Sequence, residues 1–327
     1  MTTEEDHTPL RFRQTRSFRG CISDGWKIFA LNAKNYLKYL WPHALLAGLG
    51  FALSLFLLTR FYVSHFLPAQ LYAEAGMDHE TVRQLCKPAA ADCLPPALGL
   101  LFAVIAAYLA KGAGWTQIRF YAATNALPAC HPFGLWRETR AAAGRNLLFD
   151  ALTTLAYALP AAGVALVAWK ATTPAWAWSL LLLIPIYIYV WVVSAIGRQY
   201  YIFGQTGLKT ALRAATRNGV RSFGGYLLIL MLTAVPFLLV SAVFLLPATL
   251  FPLSVIADGQ SVLTNNDSGL PEYHSALFIG VSTLAFTSCI LLMSVRRWAL
   301  SLKAAADKAQ QERTSGREKE YTHKQKP

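Results

Sequence analysis

No stretch of this sequence carries a recognisable chemical motif. It has no Walker A loop, no glycine-rich dinucleotide fingerprint, no G-x-S-x-G elbow, no HExxH and no paired CxxC. Its polar segments are too short for an ATPase or kinase domain, and its apolar stretches supply no converging acid, base and nucleophile. The expectation is a protein that is not an enzyme and binds no cofactor or metal. Asp78, His79 and Glu80 set three ligand types side by side, but adjacent residues do not share a helix face. His65, His79 and His274 offer no better set.

Negative charge is scarce as well, with 17 Asp and Glu against 30 Lys and Arg. A surplus of this size fits nucleic acid, yet the placement of the basic residues accounts for it more directly, and no nucleic-acid partner is expected. The first 40 residues also lack a short apolar core followed by an A-x-A site. The first long apolar stretch is therefore expected to act as the insertion signal and to stay in the mature chain.

Six such stretches are present, over residues 41–59, 96–117, 147–169, 175–196, 223–256 and 275–295. Each can cover bilayer hydrocarbon, which a helix of about 20 residues spans. If both tails and the even-numbered connections share one side, 26 basic residues fall there. Only Arg60, Arg83, Lys87 and Lys170 fall on the other. The positive-inside rule makes the first side cytoplasmic. The fold class expected is an all-α integral membrane protein of a bacterial inner membrane, with six transmembrane helices as three hairpins and both termini inside.

Each hairpin is expected to follow a basic amphipathic helix lying in the interface. In the first, Trp26, Phe29, Ala33, Tyr36, Leu37 and Leu40 oppose Lys27, Lys34 and Lys38. The second carries Trp136 with Arg137 and Arg140, and the third spaces Lys209, Arg213, Arg217 and Arg221 four apart beside Leu208, Leu212 and Ala215. RAAAGRN at Arg140–Asn146 parallels RAATRN at Arg213–Asn218, and a proline follows a basic residue by fifteen positions in Arg145/Pro160 and Arg221/Pro236. The even spans end alike, at Arg119-Phe120-Tyr121, Arg198-Gln199-Tyr200-Tyr201 and Arg296-Arg297-Trp298. These parallels predict an internal repeat with units 17–125, 131–205 and 206–303. A tail at 1–16, an external loop at 61–95 closed by Pro95 and Pro96, and a basic, disordered tail at 304–327 complete the domain plan. Pro236, Pro247 and Pro252 are expected to bend one long helix rather than to divide two spans.

The stretch LKTALRAATRNGVRSFGGYLLILMLTAVP, Leu208 to Pro236, resembles the membrane domain fused to some glycerophosphodiester phosphodiesterases. The resemblance covers about the last 170 residues. It implies a helical membrane module without the phosphodiesterase catalytic domain, and it carries no functional residues across.

Two ionisable residues stand inside the apolar stretches, where charge is costly unless paired or hydrated. Lys111 precedes Arg119 by eight positions, roughly 12 Å along a helix, and Asp150 follows Arg145 by five, roughly 7 Å. They are candidates for an intramembrane polar pair. The alternative has Lys111 reaching to the headgroups, with Gly112 and Gly114 marking the helix end and Asp150 beside Arg145. Gly48, Gly50, Ala52, Ala161, Ala162 and Gly163 are candidates for close helix crossings. Cys86 and Cys93 are candidates for a disulfide in the external loop, while Cys21 and Cys130 are expected to be cytoplasmic and Cys289 to lie within a span. Lys27, Lys34, Lys38, Lys209, Arg213, Arg217 and Arg221 are candidate contacts for anionic lipid headgroups, the expected partners together with an unnamed membrane protein. The functional expectation is a non-enzymatic module that binds lipid or assists a complex. A small-solute transporter or channel built on Lys111 and Asp150 stands second, and an intramembrane lipid-modifying enzyme third.

Overall fold

The structure, a computed structural model, describes residue 12 and residues 16–127, 134–170, 177–264 and 269–324, leaving aside the side chains of 167–170, 177–180, 182 and 311–324. Cys130, the first eleven residues and part of the connection after residue 263 lie outside the described residues. The described residues form ten α-helices and no strand. In chain order they are α1 (Phe18–Leu31), α2 (Ala33–Phe61), α3 (Leu67–Glu74), α4 (His79–Leu85), α5 (Ala90–Thr124), α6 (Trp136–Lys170), α7 (Ala177–Arg198), α8 (Leu208–Arg221), α9 (Phe223–Leu263) and α10 (His274–Lys324). Five helical stretches among the described residues are long and apolar enough to cross a membrane: Ala33–Glu74, Ala90–Thr124, Trp136–Leu166, Phe223–Leu263 and His274–Gln310.

The apolar surface of these helices fits that solvent. Leu159, Leu166, Leu238, Leu239 and Val243 are all more than 60% exposed, an arrangement unfavourable in water and neutral in hydrocarbon. Several threonine hydroxyls within the apolar helices are satisfied locally. Thr116 donates to Gly112 O at 3.0 Å, Thr153 to Phe149 O at 2.9 Å and Thr233 to Ile229 O at 2.6 Å, so each polar group reaches depth with a partner from its own helix.

Three boundaries differ from those read in the sequence. The first interfacial segment breaks at Asn32, so Lys34 and Lys38 belong to α2 and only Lys27 to α1. The packed stripe of α1 is Cys21, Gly25 and Ile28, while Trp26 is exposed; Gly25 is chosen by closeness, since a Cβ there would lie 3.1 Å from Ala299 N. The second segment is no separate helix. Trp136, Arg137 and Arg140 form the first turns of α6, because nothing between them and Pro160 caps or breaks the helix. The third is separate, as α8, and it resembles α1 in detail: both hold 14 residues and both end one residue before a long apolar helix. Tyr36 in α2 and Tyr226 in α9 are buried at matching positions, four residues past those breaks.

Pro95 and Pro96 do not close the loop, since they lie inside α5, which begins at Ala90. Pro236, Pro247 and Pro252 all lie within one helix, α9, in agreement with the single long helix expected there. Loop 61–95 contains a π-helical turn at Tyr62–Phe66 followed by α3 and α4. The boundary at 303 has no counterpart either, because α10 continues to Lys324 and Leu302, Ala305 and Ala306 are buried.

Packing divides the chain into two compact units, one of residues 1–38, 111–235 and 294–327, the other of 39–110 and 236–293. In the first, Trp298 is fully buried between Tyr36, 6.0 Å away, and Tyr121, 5.4 Å away edge-on. Phe12 seats against Tyr121 and Phe203, and its backbone N–H donates to Asn125 Oδ1 at 3.1 Å. The aromatic residues that end the even spans therefore make this core instead of a belt at the membrane border: Tyr121, Tyr201 and Trp298 are all buried. In the second unit α2 is crossed closely on two sides. A Cβ on Gly50 would lie 2.8 Å from Ala103 Cα, and Gly48 faces Thr283 and Thr287. Ala161, Ala162 and Gly163 make no crossing; all three are exposed, and nothing stands within 4 Å of a Cβ at Gly163.

Candidate functional site

Lys111 and Asp150 meet. Lys111 Nζ donates to Asp150 Oδ2 at 2.8 Å, joining α5 to α6. The approach depends on Gly112, where a Cβ would run into Thr139 O and come within 2.9 Å of Ala143 N. Gly112 and Gly114 do not end the helix, since α5 continues to Thr124. Gly112 lets two backbones close, which is how small residues act between membrane helices, while Gly114 faces the Arg297 side chain. Arg145 is turned elsewhere, donating to Tyr201 O at 3.3 Å.

A third member was not visible in the sequence. Arg198, at the end of α7, donates through Nη2 to Asp150 Oδ1, so one carboxylate bridges cations from two other helices. The Asp150 side chain is 15% exposed, against 34% for Lys111 and 32% for Arg198. The Arg198 guanidinium also stands 5.7 Å from the Phe149 ring centre. From α10, Arg297 lies within electrostatic reach of Arg198, Asp150 and the Tyr36 hydroxyl, and Arg296 stacks 5.3 Å from the Trp191 ring centre. Along the sequence Arg198, Arg296 and Arg297 look like border residues; what distinguishes them is the end at which α6, α7 and α10 meet, which no spacing along one chain conveys. Chemically the cluster can hold an anion or fix helices; it contains no nucleophile with a base beside it.

No family model, curated protein or solved structure matches this chain.

The seven candidate lipid contacts, Lys27, Lys34, Lys38, Lys209, Arg213, Arg217 and Arg221, are all exposed. On α8 the stripe Ala211, Ala215 and Gly219 is buried, with Ala215 against Gly197 and Gly219 against Val193 of α7. Its small apolar face is thus packed on protein and not in the acyl boundary. At 100° per residue the basic stripe centres roughly 180° from that packed face. Asn218 Nδ2 donates to the Tyr200 hydroxyl at 2.7 Å and ties α8 to the turn after α7.

Other candidates have structural roles or none. Asp78 caps α4 by accepting from the N–H groups of Glu80 and Thr81, and among the described residues no three His, Cys, Asp or Glu converge. Cys86 and Cys93 are both free thiols, one closing α4 and the other in the first turn of α5, so the expected ring is not formed. Cys21 is fully buried, and burial pushes its thiol up to about 11 against the opposing pull of Lys303 and Arg16.

Proposed function

We infer that this chain is a non-enzymatic membrane module of a bacterial inner membrane that engages anionic lipid headgroups at its cytoplasmic side. In this reading α7 is a sixth span, both termini are cytoplasmic, and α1–α2 and α8–α9 are copies of one repeated unit. The observation that carries it is the outward stripe Lys209, Arg213, Arg217 and Arg221 on α8, held opposite the face packed on α7. An amphipathic helix anchored by its small residues presents its charges at a constant height, and each basic residue near an anionic surface contributes about 1 kcal/mol. The resemblance of Leu208–Pro236 to a phosphodiesterase-linked membrane domain is in keeping with a lipid-facing role.

The test is lipid selection by the full-length protein in nanodiscs of mixed phosphatidylcholine and phosphatidylglycerol. Native mass spectrometry of the retained lipid should show phosphatidylglycerol enrichment that falls by roughly two orders of magnitude when Lys209, Arg213 and Arg217 are all changed to Gln, from about 3 kcal/mol. Equal enrichment in the variant removes the reading. Transport of a small solute stands second, because Lys111 and Arg198 keep about a third of their side chains open while sharing Asp150. Intramembrane lipid chemistry stands third.

A further inference from the structure

The cluster around Asp150 is unbalanced. Among the described residues Lys111, Arg198 and Arg297 face a single carboxylate, and Arg296 adds a fourth cation within electrostatic reach of Arg198. Uncompensated charge in a low-dielectric setting is expensive, and natural sites relieve it by pairing, hydration or a bound counter-ion. The hydrogen-bond pattern points the same way. Each Asp150 oxygen already accepts a hydrogen bond, Oδ2 from Lys111 and Oδ1 from Arg198, so its charge is shared between those two cations. Among the described residues Arg297 Nη1 and Arg198 Nε are buried without a hydrogen-bond partner. Gly114 makes room for the Arg297 guanidinium itself, since a Cβ there would lie 2.5 Å from Nη1.

We propose that Lys111, Arg198 and Arg297 form a binding site for a phosphoryl anion, either the phosphodiester of a lipid headgroup or inorganic phosphate. Two guanidinium groups from different helices and one ammonium match an anion with several acceptor oxygens, which a monatomic anion cannot satisfy to the same degree. Asp150 preorganises the site by holding Lys111 and Arg198 in place, at the cost of competing for them. Tyr36 supplies a hydroxyl beside Arg297. The site rests on the membrane reading above and deepens it, but it does not use α8.

The experiment uses the full-length protein in dodecyl maltoside, a detergent without phosphate, and follows thermal unfolding by tryptophan fluorescence. Sodium phosphate is titrated against sodium chloride at matched ionic strength, and phosphatidylglycerol is titrated separately in mixed micelles. The result expected is a saturable rise in Tm with at least one phosphoryl probe and none with chloride. A response to phosphate alone identifies a free anion, and a response to phosphatidylglycerol alone identifies a lipid headgroup. Arg297→Gln should weaken the half-saturating concentration by roughly tenfold or more, the loss of one charge-assisted hydrogen bond. Arg297→Lys, which keeps the charge and loses the fork, serves where the Gln variant does not fold. The Lys209/Arg213/Arg217 triple variant should titrate like wild type with inorganic phosphate, so failure here is distinct from failure of the α8 reading. No rise with either probe, an equal rise with chloride, or an Arg297 variant that titrates like wild type overturns the proposal.

Discussion

Asp150→Asn removes a charge while keeping shape, and its effect can be worked from the contacts. Lys111 Nζ lies 2.8 Å from Oδ2. At an effective dielectric near 20, a pair at that distance attracts by about 6 kcal/mol before desolvation is counted. Both cations keep about a third of their side chains exposed, which screens part of this. The variant leaves Lys111 and Arg198 together with no carboxylate between them, and losing one member of a buried pair costs about 3 kcal/mol or more. The expected loss is therefore about 3 kcal/mol, read by reversible SDS-induced unfolding in mixed micelles. Adding Lys111→Met to Asp150→Asn removes one of the stranded cations and should recover about 1 kcal/mol, so the cycle should be non-additive. Asp150→Asn within about 0.5 kcal/mol of wild type, or strictly additive effects, refutes the reasoning, since surface substitutions behave that way.

Gly112→Ala should cost about 1–3 kcal/mol in the same unfolding assay, because its Cβ would press on the backbone of α6, whereas Gly163→Ala, with open space around it, should be neutral. In a variant that keeps Cys21 and replaces the other cysteines by Ser, Cys21 should resist maleimide at pH 8 and begin to react only as the pH approaches its raised value of about 11; labelling as fast as that of Cys93, which is exposed, in the matching Cys93-only variant contradicts the burial described. The sign follows from the thiolate being the nucleophile, so raising the pKa protects the thiol at neutral pH. Phe12→Ala should open a cavity costing about 3 kcal/mol and speed tryptic cleavage at Arg16 by roughly tenfold or more, since Arg16 is held by Phe12 O at 3.0 Å and by Asp24 at 2.7 Å.

The class of this protein was legible because hydropathy and helix length are local properties. Runs of about 20 apolar residues declare their solvent wherever they pack, and i, i+4 spacing alone puts Lys209, Arg213, Arg217 and Arg221 on one helix face. The same local signals misjudged ends. Pro95 and Pro96 look like the point where a loop enters a span, yet α5 begins at Ala90 and carries on through them. Gly112 and Gly114 were weighed as helix ends, although what they provide is the absence of a side chain against another helix.

By itself, then, the sequence determined an all-helical chain of membrane-crossing length, an unequal division of basic residues, and two ionisable residues within apolar stretches that needed an explanation. Only the tertiary structure decided what surrounds them. Arg198 and Arg297 lie 48 and 147 positions from Asp150 in the sequence, so no periodicity links them to it, and their approach depends on which helix ends pack together. Trp298, Tyr121 and Tyr36 look like border aromatics along the chain and become a core once α2, α5 and α10 bring them within 6.0 Å of one another's rings in succession. Charge and apolar character belong to residues, but compensation and burial belong to neighbours, and neighbours this distant are chosen by packing.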